Sequence, residues 1–215
     1  MSLKLYFHPL ASFCQKALIG LYELDVPFEK CLVDLNDPAD RDAFLKVWPI
    51  GKFPVLRDET RALTVPETSI IVEYVQLHYA PGTELVPRDQ DAARECRLRD
   101  RFFDLYVNTP MSKIVTDKLR PDGSHDPFGV AAAKEQLETA YDVADGWLKE
   151  AAWIAGETFT LADCAAAPAL FYANQVLPFT DRQRRLSDYL GRLAERASVA
   201  RVAEEAKPYW SMFPG

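Results

Sequence analysis

The sequence predicts an α/β + all-α architecture: a first unit with the element order βαβαββα, then a unit built only of helices. Three observations carry this reading. Strand-like and helix-like runs alternate up to about residue 80, and no strand-like run follows. Tyr79-Ala80-Pro81-Gly82 and the stretch to Pro87 have the proline and glycine content of a linker. Beyond residue 89 the apolar residues recur at helical spacing over long stretches. The expected boundaries are 1–80 for the first unit, 81–88 for the linker and 89–215 for the helical unit.

Leu3-Lys4-Leu5-Tyr6-Phe7 alternates as a strand, and after the His8-Pro9 turn Phe13, Ala17, Leu21 and Leu24 recur on one helical face. Phe28 to Val33 is a second strand. Asp37-Pro38, an N-cap with proline at the first helical position, opens a helix that ends near Trp48-Pro49. Pro54 to Arg57 and Ala62 to Val65 flank a turn over 58–61 as a hairpin, and a helix from Ser69 to His78 follows. In the second unit, 89–119 reads as one long helix kinked at Thr109-Pro110, where proline removes a hydrogen bond. Arg120 to Asp126 is a loop, a long amphipathic helix starts at Pro127, and shorter helices cover about 161–175, 182–196 and 198–206. Thr160-Leu161-Ala162-Asp163 has the pattern of a capping box, which makes Asp163 a structural carboxylate.

Composition bounds the function. A chain of 215 residues with 48% apolar and 12% aromatic residues builds a sizeable core. A net charge of −7 argues against a nucleic-acid partner, so any bound anion is held by local donors. The four cysteines, at 14, 31, 96 and 164, show no Cys-x-x-Cys pairing and no metal-ligand spacing with His8, His78 and His125. These features imply a reducing, cytoplasmic setting, no metal and no membrane segment.

The most informative stretch is Gly51-Lys52-Phe53-Pro54-Val55-Leu56, followed by Pro66-Glu67-Thr68-Ser69 at the head of a helix. A proline just before a strand, held cis, turns the preceding backbone so that its polar groups face a ligand rather than a neighbouring strand. Glu67 supplies a carboxylate for an ammonium, and the helix end with the Thr68 and Ser69 hydroxyls takes a carboxylate. A small peptide with an amino-acid-like end satisfies both halves.

The βαβαββα order, the proline before the third strand, the acidic-hydroxyl pair heading the next helix and the Thr-Leu-Ala-Asp cap in an all-helical second half together resemble the cytosolic glutathione S-transferases. The most specific segments are His8 to Lys16, Gly51 to Leu56, Val65 to Ile71 and Phe159 to Pro168, in that family's order and spacing. The resemblance implies a thioredoxin-like first domain that holds glutathione as co-substrate and a helical domain that carries the electrophile pocket. It implies that Phe13, Phe53, Pro54 and Val55 face the tripeptide, that Glu67 and Thr68 hold its γ-glutamyl end, and that Lys52 meets its glycine carboxylate. It implies Tyr106, Pro110 and Ile114 for the electrophile pocket and a homodimer as the assembly.

Conjugation needs a thiolate at neutral pH, hence donors near a sulfur whose free pKa is about 8.5. In the bacterial-type, serine-like motif the hydroxyl position is occupied here by Ala11, a departure from the family pattern. Three donors stand nearby: the Ser12 hydroxyl, the Tyr6 phenol and the backbone N–H groups at the start of the first helix. Cys14 stands alone where thioredoxin-like redox proteins carry two cysteines, which argues against disulfide chemistry by a protein thiol. The reading is therefore a glutathione transferase. A glutathione-dependent isomerase, dehalogenase or peroxidase on the same fold, and a non-catalytic glutathione-binding protein, are the alternatives.

Overall fold

Strand β1 (Leu3–Phe7) alternates buried and half-buried residues, so Leu3, Leu5 and Phe7 share one face and Lys4 and Tyr6 the other. After it come α1 (Ser12–Glu23), β2 (Glu29–Leu32), α2 (Pro38–Val47), β3 (Val55–Asp58), β4 (Leu63–Pro66) and α3 (Thr68–Tyr79). The computed structural model describes residues 2–214. The four strands form one mixed sheet in the order β2-β1-β3-β4, with β1 parallel to β2 and antiparallel to β3, and β3 antiparallel to β4. This is the thioredoxin-like arrangement.

Register decides where the site can lie. Tyr6 of β1 pairs with Val55 of β3, and Val55 pairs with Pro66 of β4. The end of β1 leading into α1, the Phe53-Pro54 turn and the start of α3 therefore meet at one end of the sheet.

The helices of this unit begin and pack for identifiable reasons. Asp37 caps α2 by accepting from the N–H groups of Ala39 (2.8 Å) and Asp40 (3.0 Å). Helices α1 and α3 approach closely at Gly20, where a Cβ would stand 2.6 Å from Val72 Cγ2. The apolar face expected for α1 is corrected in one respect: Phe13 is 37% exposed, whereas Gln15 and Lys16 are buried. The buried surface runs from Cys14 to Leu21, because α1 is covered on more than one side and its first turn is left open. Asp58, expected in a turn, closes β3; its carboxylate accepts from Thr60 N–H (2.9 Å), Arg61 N–H (3.1 Å), Tyr74 Oη (2.6 Å) and Tyr79 Oη.

The chain divides into two compact units at Leu85 and Val86. The break lies inside 81–88, the stretch read as linker, yet Leu85 and Val86 are both buried. The second unit holds α4 (Gln90–Phe102), α5 (Thr109–Asp117), α6 (Pro127–Trp147), α7 (Leu161–Val176), α8 (Arg184–Glu195) and α9 (Ala197–Ala206). Just before Thr109-Pro110, where a kink is expected, the helix carries a π-helical turn over Phe103–Asn108 that ends where α5 starts. Proline offers no N–H to the preceding turn, and the Thr109 hydroxyl instead donates to Asp104 O at 3.1 Å. A 3₁₀ segment, Lys207–Met212, extends the helical unit beyond the last helix the sequence predicts.

Asp163 has the structural role that its spacing implies. It is fully buried and accepts from Thr160 N–H (2.8 Å), the Thr160 hydroxyl (3.0 Å), Ile154 N–H (2.9 Å) and Tyr189 Oη (2.6 Å). Burial nevertheless raises its pKa, because these bonds offset only part of the desolvation.

Candidate functional site

The site of the first unit has three walls. The first is the turn before β3. The Phe53-Pro54 bond is cis, Pro54 is buried, and Gly51 enters the turn at φ +69°, a conformation that glycine adopts without steric penalty. The Phe53 ring is half-buried and stacks on His8 with centroids 6.2 Å apart, which ties this turn to the β1–α1 connection. Lys52 is exposed beside it.

The second wall is the start of α3. Glu67 is exposed and occupies the N-cap at φ 69°, ψ 118°, a region L-residues rarely populate and one that costs on the order of 1–3 kcal/mol. Its carbonyl accepts the Ile71 N–H at 2.8 Å, so the strain lies at the first bond of the helix. Thr68 and Ser69, the next two residues, are buried, at 5% and 7% exposure. A helix start of this kind presents N–H groups and positive dipole charge to an anion.

The third wall is the start of α1. Ala11 is the N-cap and contributes no side-chain cap, and Ser12 follows half-buried as the first helical residue. The turn before it is held from within: Ala11 N–H donates to His8 O (3.1 Å), Leu10 N–H to His8 Nδ1 (3.3 Å), and the buried Gln15 amide to Pro9 O (2.8 Å). Burial lowers the pKa of His8, with Asp34 acting in the opposite direction. Cys14 is fully buried and its Sγ accepts from His8 N–H at 3.4 Å; burial pushes this thiol far up, so it is a protonated packing group.

The residues singled out from sequence fall unevenly around these walls. Ser12, Phe13, Phe53, Pro54, Val55, Glu67 and Thr68 stand at the one end of the sheet defined by the strand register. Tyr6 pairs with Val55 at the same end and packs its ring on Phe44 of α2, centroids 6.0 Å apart, on the cluster of Val33, Phe44 and Val55 that Phe53 also meets. Burial, with the nearby Cys31, raises its phenol pKa. In the helical unit Tyr106 is 59% exposed on an open groove shared with Phe102 and with Gln136 and Val143 of α6, while Pro110 and Ile114 are buried. Of these three, Tyr106 alone offers open surface.

Two polar residues that the motif reading did not assign belong to this site. Gln15 and Lys16 are buried in the first two turns of α1, at 6% and 1% exposure. Lys16 Nζ donates to Ser69 Oγ at 3.0 Å, and Thr68 Oγ1 donates to Phe13 O at 3.3 Å. The sequence signals for them are their place about one helical turn behind Ser12 and their position at the end of the His8 to Lys16 segment. Among the described residues no group of three or more His, Cys, Asp or Glu is arranged to hold a metal ion, and no helix is long and apolar enough to cross a membrane.

Both units match known proteins. Residues 5–83 match the family described as "Glutathione S-transferase, N-terminal domain", and residues 111–197 its C-terminal domain counterpart. Glutathione S-transferase 3 of Zea mays is 34% identical over 184 residues, covering 82% of this chain and 81% of that protein. Glutathione S-transferase GstB of Escherichia coli is 28% identical over 195 residues, 87% and 91% of the two chains. Among solved structures, a glutathione S-transferase from Methylobacillus flagellatus with glutathione bound superposes with a TM-score of 0.82 at 25% identity, over 94% of this chain and 98% of that one. The transferase URE2P8 of Phanerochaete chrysosporium, solved with oxidized glutathione, reaches 0.86 at 20% identity over 98% and 97%, a likeness of fold.

Proposed function

This chain belongs to the glutathione S-transferase family and is a glutathione-dependent transferase, and we propose that the three walls at one end of its sheet are the glutathione clamp. The observation that carries the proposal is the strained Glu67 N-cap, set by the β3–β4 register next to the cis Phe53-Pro54 turn. Backbone held in a rarely populated conformation persists where the surrounding structure over-determines it, and ligand clamps are one such place.

In this reading the backbone at Phe53 and Val55 pairs with the cysteinyl part of the tripeptide. Glu67 takes the γ-glutamyl ammonium, and Thr68 with the N–H groups of α3 takes the adjoining carboxylate. Lys52, exposed at the rim, meets the glycine carboxylate. The sulfur then lies at the start of α1, where the Ser12 hydroxyl and the N–H groups of Ser12 and Phe13 favour the thiolate. Positioning and thiolate stabilisation carry the rate, and of the three helical-unit residues expected to hold the electrophile, Tyr106 has the open surface to do so, while Pro110 and Ile114 are buried in the core. Support for a homodimer comes from exposed apolar pairs a heptad apart, Ile70 with Leu77 on α3 and Leu98 with Leu105 along α4 and the π turn. Retention in the cytoplasm fits the same reading.

Calorimetric titration with glutathione tests the clamp. Wild type binds, and Glu67→Ala, which removes the ammonium partner, loses roughly tenfold in affinity, about 1.4 kcal/mol. Equal affinity of the two proteins sinks the assignment of Glu67. Absence of binding by wild type sinks the clamp.

A further inference from the structure

The groove that Tyr106 shares with α6 lies wholly within the helical unit and encloses about 420 Å³. One wall is a pair of rings, Phe102 and Tyr106, with centroids 5.4 Å apart. The other is α6, where Glu135, Thr139 and Val143 follow at four-residue steps and so form one row. Ala132 and Ala140 also line it and are too small to fill the space between helix and rings. Tyr106 is 59% exposed and Val143 39%, so apolar surface rimmed by polar residues stands open, a mark of surfaces that bind a partner.

The groove changes character along its length. Helix α6 runs antiparallel to the wall of rings: Lys113 of α5 pairs with Asp126 at its start, and Phe102 packs edge-on against Trp147 at its end, centroids 4.6 Å apart. Phe102 therefore stands toward the Val143 end and Tyr106 toward the Glu135 end. At 1.5 Å of rise per residue these ends are about 12 Å apart. One end is apolar; the other has a carboxylate, the Gln136 amide and the Tyr106 ring.

Of the residues that line the groove, Glu135 alone is charged. Thr139 Oγ1 donates to the Glu135 backbone oxygen at 3.0 Å, and among the described residues the Glu135 carboxylate has no ion-pair partner. The arginines on either side of Phe102 in α4 are engaged elsewhere: Arg99 pairs with Glu95 at 2.6 Å and stacks on Trp147, and Arg101 lies 3.7 Å from Asp104. A carboxylate beside an aromatic ring attracts a cation twice, by its charge and by the negative face of the ring, and repels an anion.

We propose that this groove is a binding site for an amphipathic organic cation, with an aromatic or alkyl body in the trough between Phe102 and Val143 and an ammonium held by Glu135 and the Tyr106 ring. The site goes beyond the electrophile reading of Tyr106 by giving the occupant of that surface a charge. It needs no step at the clamp.

Calorimetric titration of the full-length chain without glutathione tests the site, so its failure is distinct from failure of the clamp. Phenylbutyltrimethylammonium, phenylbutanol and phenylbutyrate present a cation, a neutral group and an anion on one apolar body. The cation binds roughly tenfold more tightly than the alcohol, the combined effect of one exposed ion pair and one ring contact, and the anion binds weakest. At about 1 M salt, where charges are screened beyond about 3 Å, most of the ion-pair share is lost and the affinity of the alcohol is kept. Glu135→Gln weakens the cation about threefold and spares the alcohol, and Tyr106→Leu weakens the cation by a similar factor. Both positions are exposed, and circular dichroism verifies that the variants fold. Equal affinity of wild type for cation and alcohol, or unchanged cation affinity in Glu135→Gln, overturns the proposal. Absence of saturable cation binding by wild type also overturns it; a dimeric wild type that Tyr106→Glu then converts to monomer gives the groove to a second copy instead.

Discussion

Helices α1 and α3 begin at the same end of the sheet, one residue type apart in design. The start of α3 is built from side chains and strain: a glutamate at φ 69° and two buried hydroxyls. The start of α1 has an alanine cap with no side-chain acceptor, and its order comes from the turn before it, through His8 and Gln15. The difference teaches that the two ends answer different demands. A carboxylate and an ammonium keep their charge throughout a catalytic cycle and profit from fixed partners. In the proposed clamp a thiolate is consumed at every turnover, and backbone N–H groups with a single hydroxyl would stabilise it without holding it too tightly.

The comparison breaks most visibly at Ser12. If that hydroxyl is the side-chain donor to the sulfur, Ser12→Ala lowers kcat by about a hundredfold, the loss typical of one donor to a developing or resting anion, with glutathione affinity nearly unchanged. Conjugation kinetics measure this, and a loss below twofold assigns the sulfur to backbone N–H groups alone. Gly20→Ala attacks the contact that holds the two helix starts in relation. Its methyl would overlap Val72, and overpacking of about 1–3 kcal/mol exceeds the gain of roughly 1 kcal/mol in helix propensity, so urea denaturation shows a less stable protein.

Ala11→Ser sharpens the contrast from the other side. It gives α1 the side-chain cap that it lacks, and the midpoint of unfolding rises by the equivalent of roughly 1 kcal/mol. A protein no more stable than wild type shows that the turn already satisfies those donors. The smallest effect belongs to His8. Burial holds its folded pKa below the ordinary 6.5, so the stability of the neutral ring is fully present above that pH and is lost as pH falls through the folded value. Melting temperature therefore declines on the acid side in wild type and less steeply in His8→Phe; parallel curves exclude His8 as the cause.

What the chain discloses without coordinates follows from how local each cause is. The turn at Pro54, the cap at Asp37 and the box at Thr160 and Asp163 depend on residues a few positions apart, and each stands in the structure as the spacing implies. Nothing local marks Lys16 and Gln15 as buried; their burial is decided by α3, more than fifty residues away, and by the turn in front of them. Phe13 shows the reverse, an apolar residue left 37% exposed because it lies on the open first turn. Tyr6 is ambiguous in sequence and settles against Phe44 only once α2 folds over the sheet. At Pro110 the sequence announces a missing N–H, while the π turn before it, bridged by the Thr109 hydroxyl to Asp104 O, has no signature in the residue spacing.

Cys14 has a consequence for the chain's own chemistry. A protein that works on a thiol cofactor risks forming a mixed disulfide with it wherever a cysteine thiolate lies close to the bound sulfur. Here the cysteine two residues beyond Ser12 is sealed in the core, receives the His8 N–H on its sulfur, and is kept protonated by burial. If this turn handles glutathione as proposed, oxidised glutathione meets no attacking sulfur from Cys14 there.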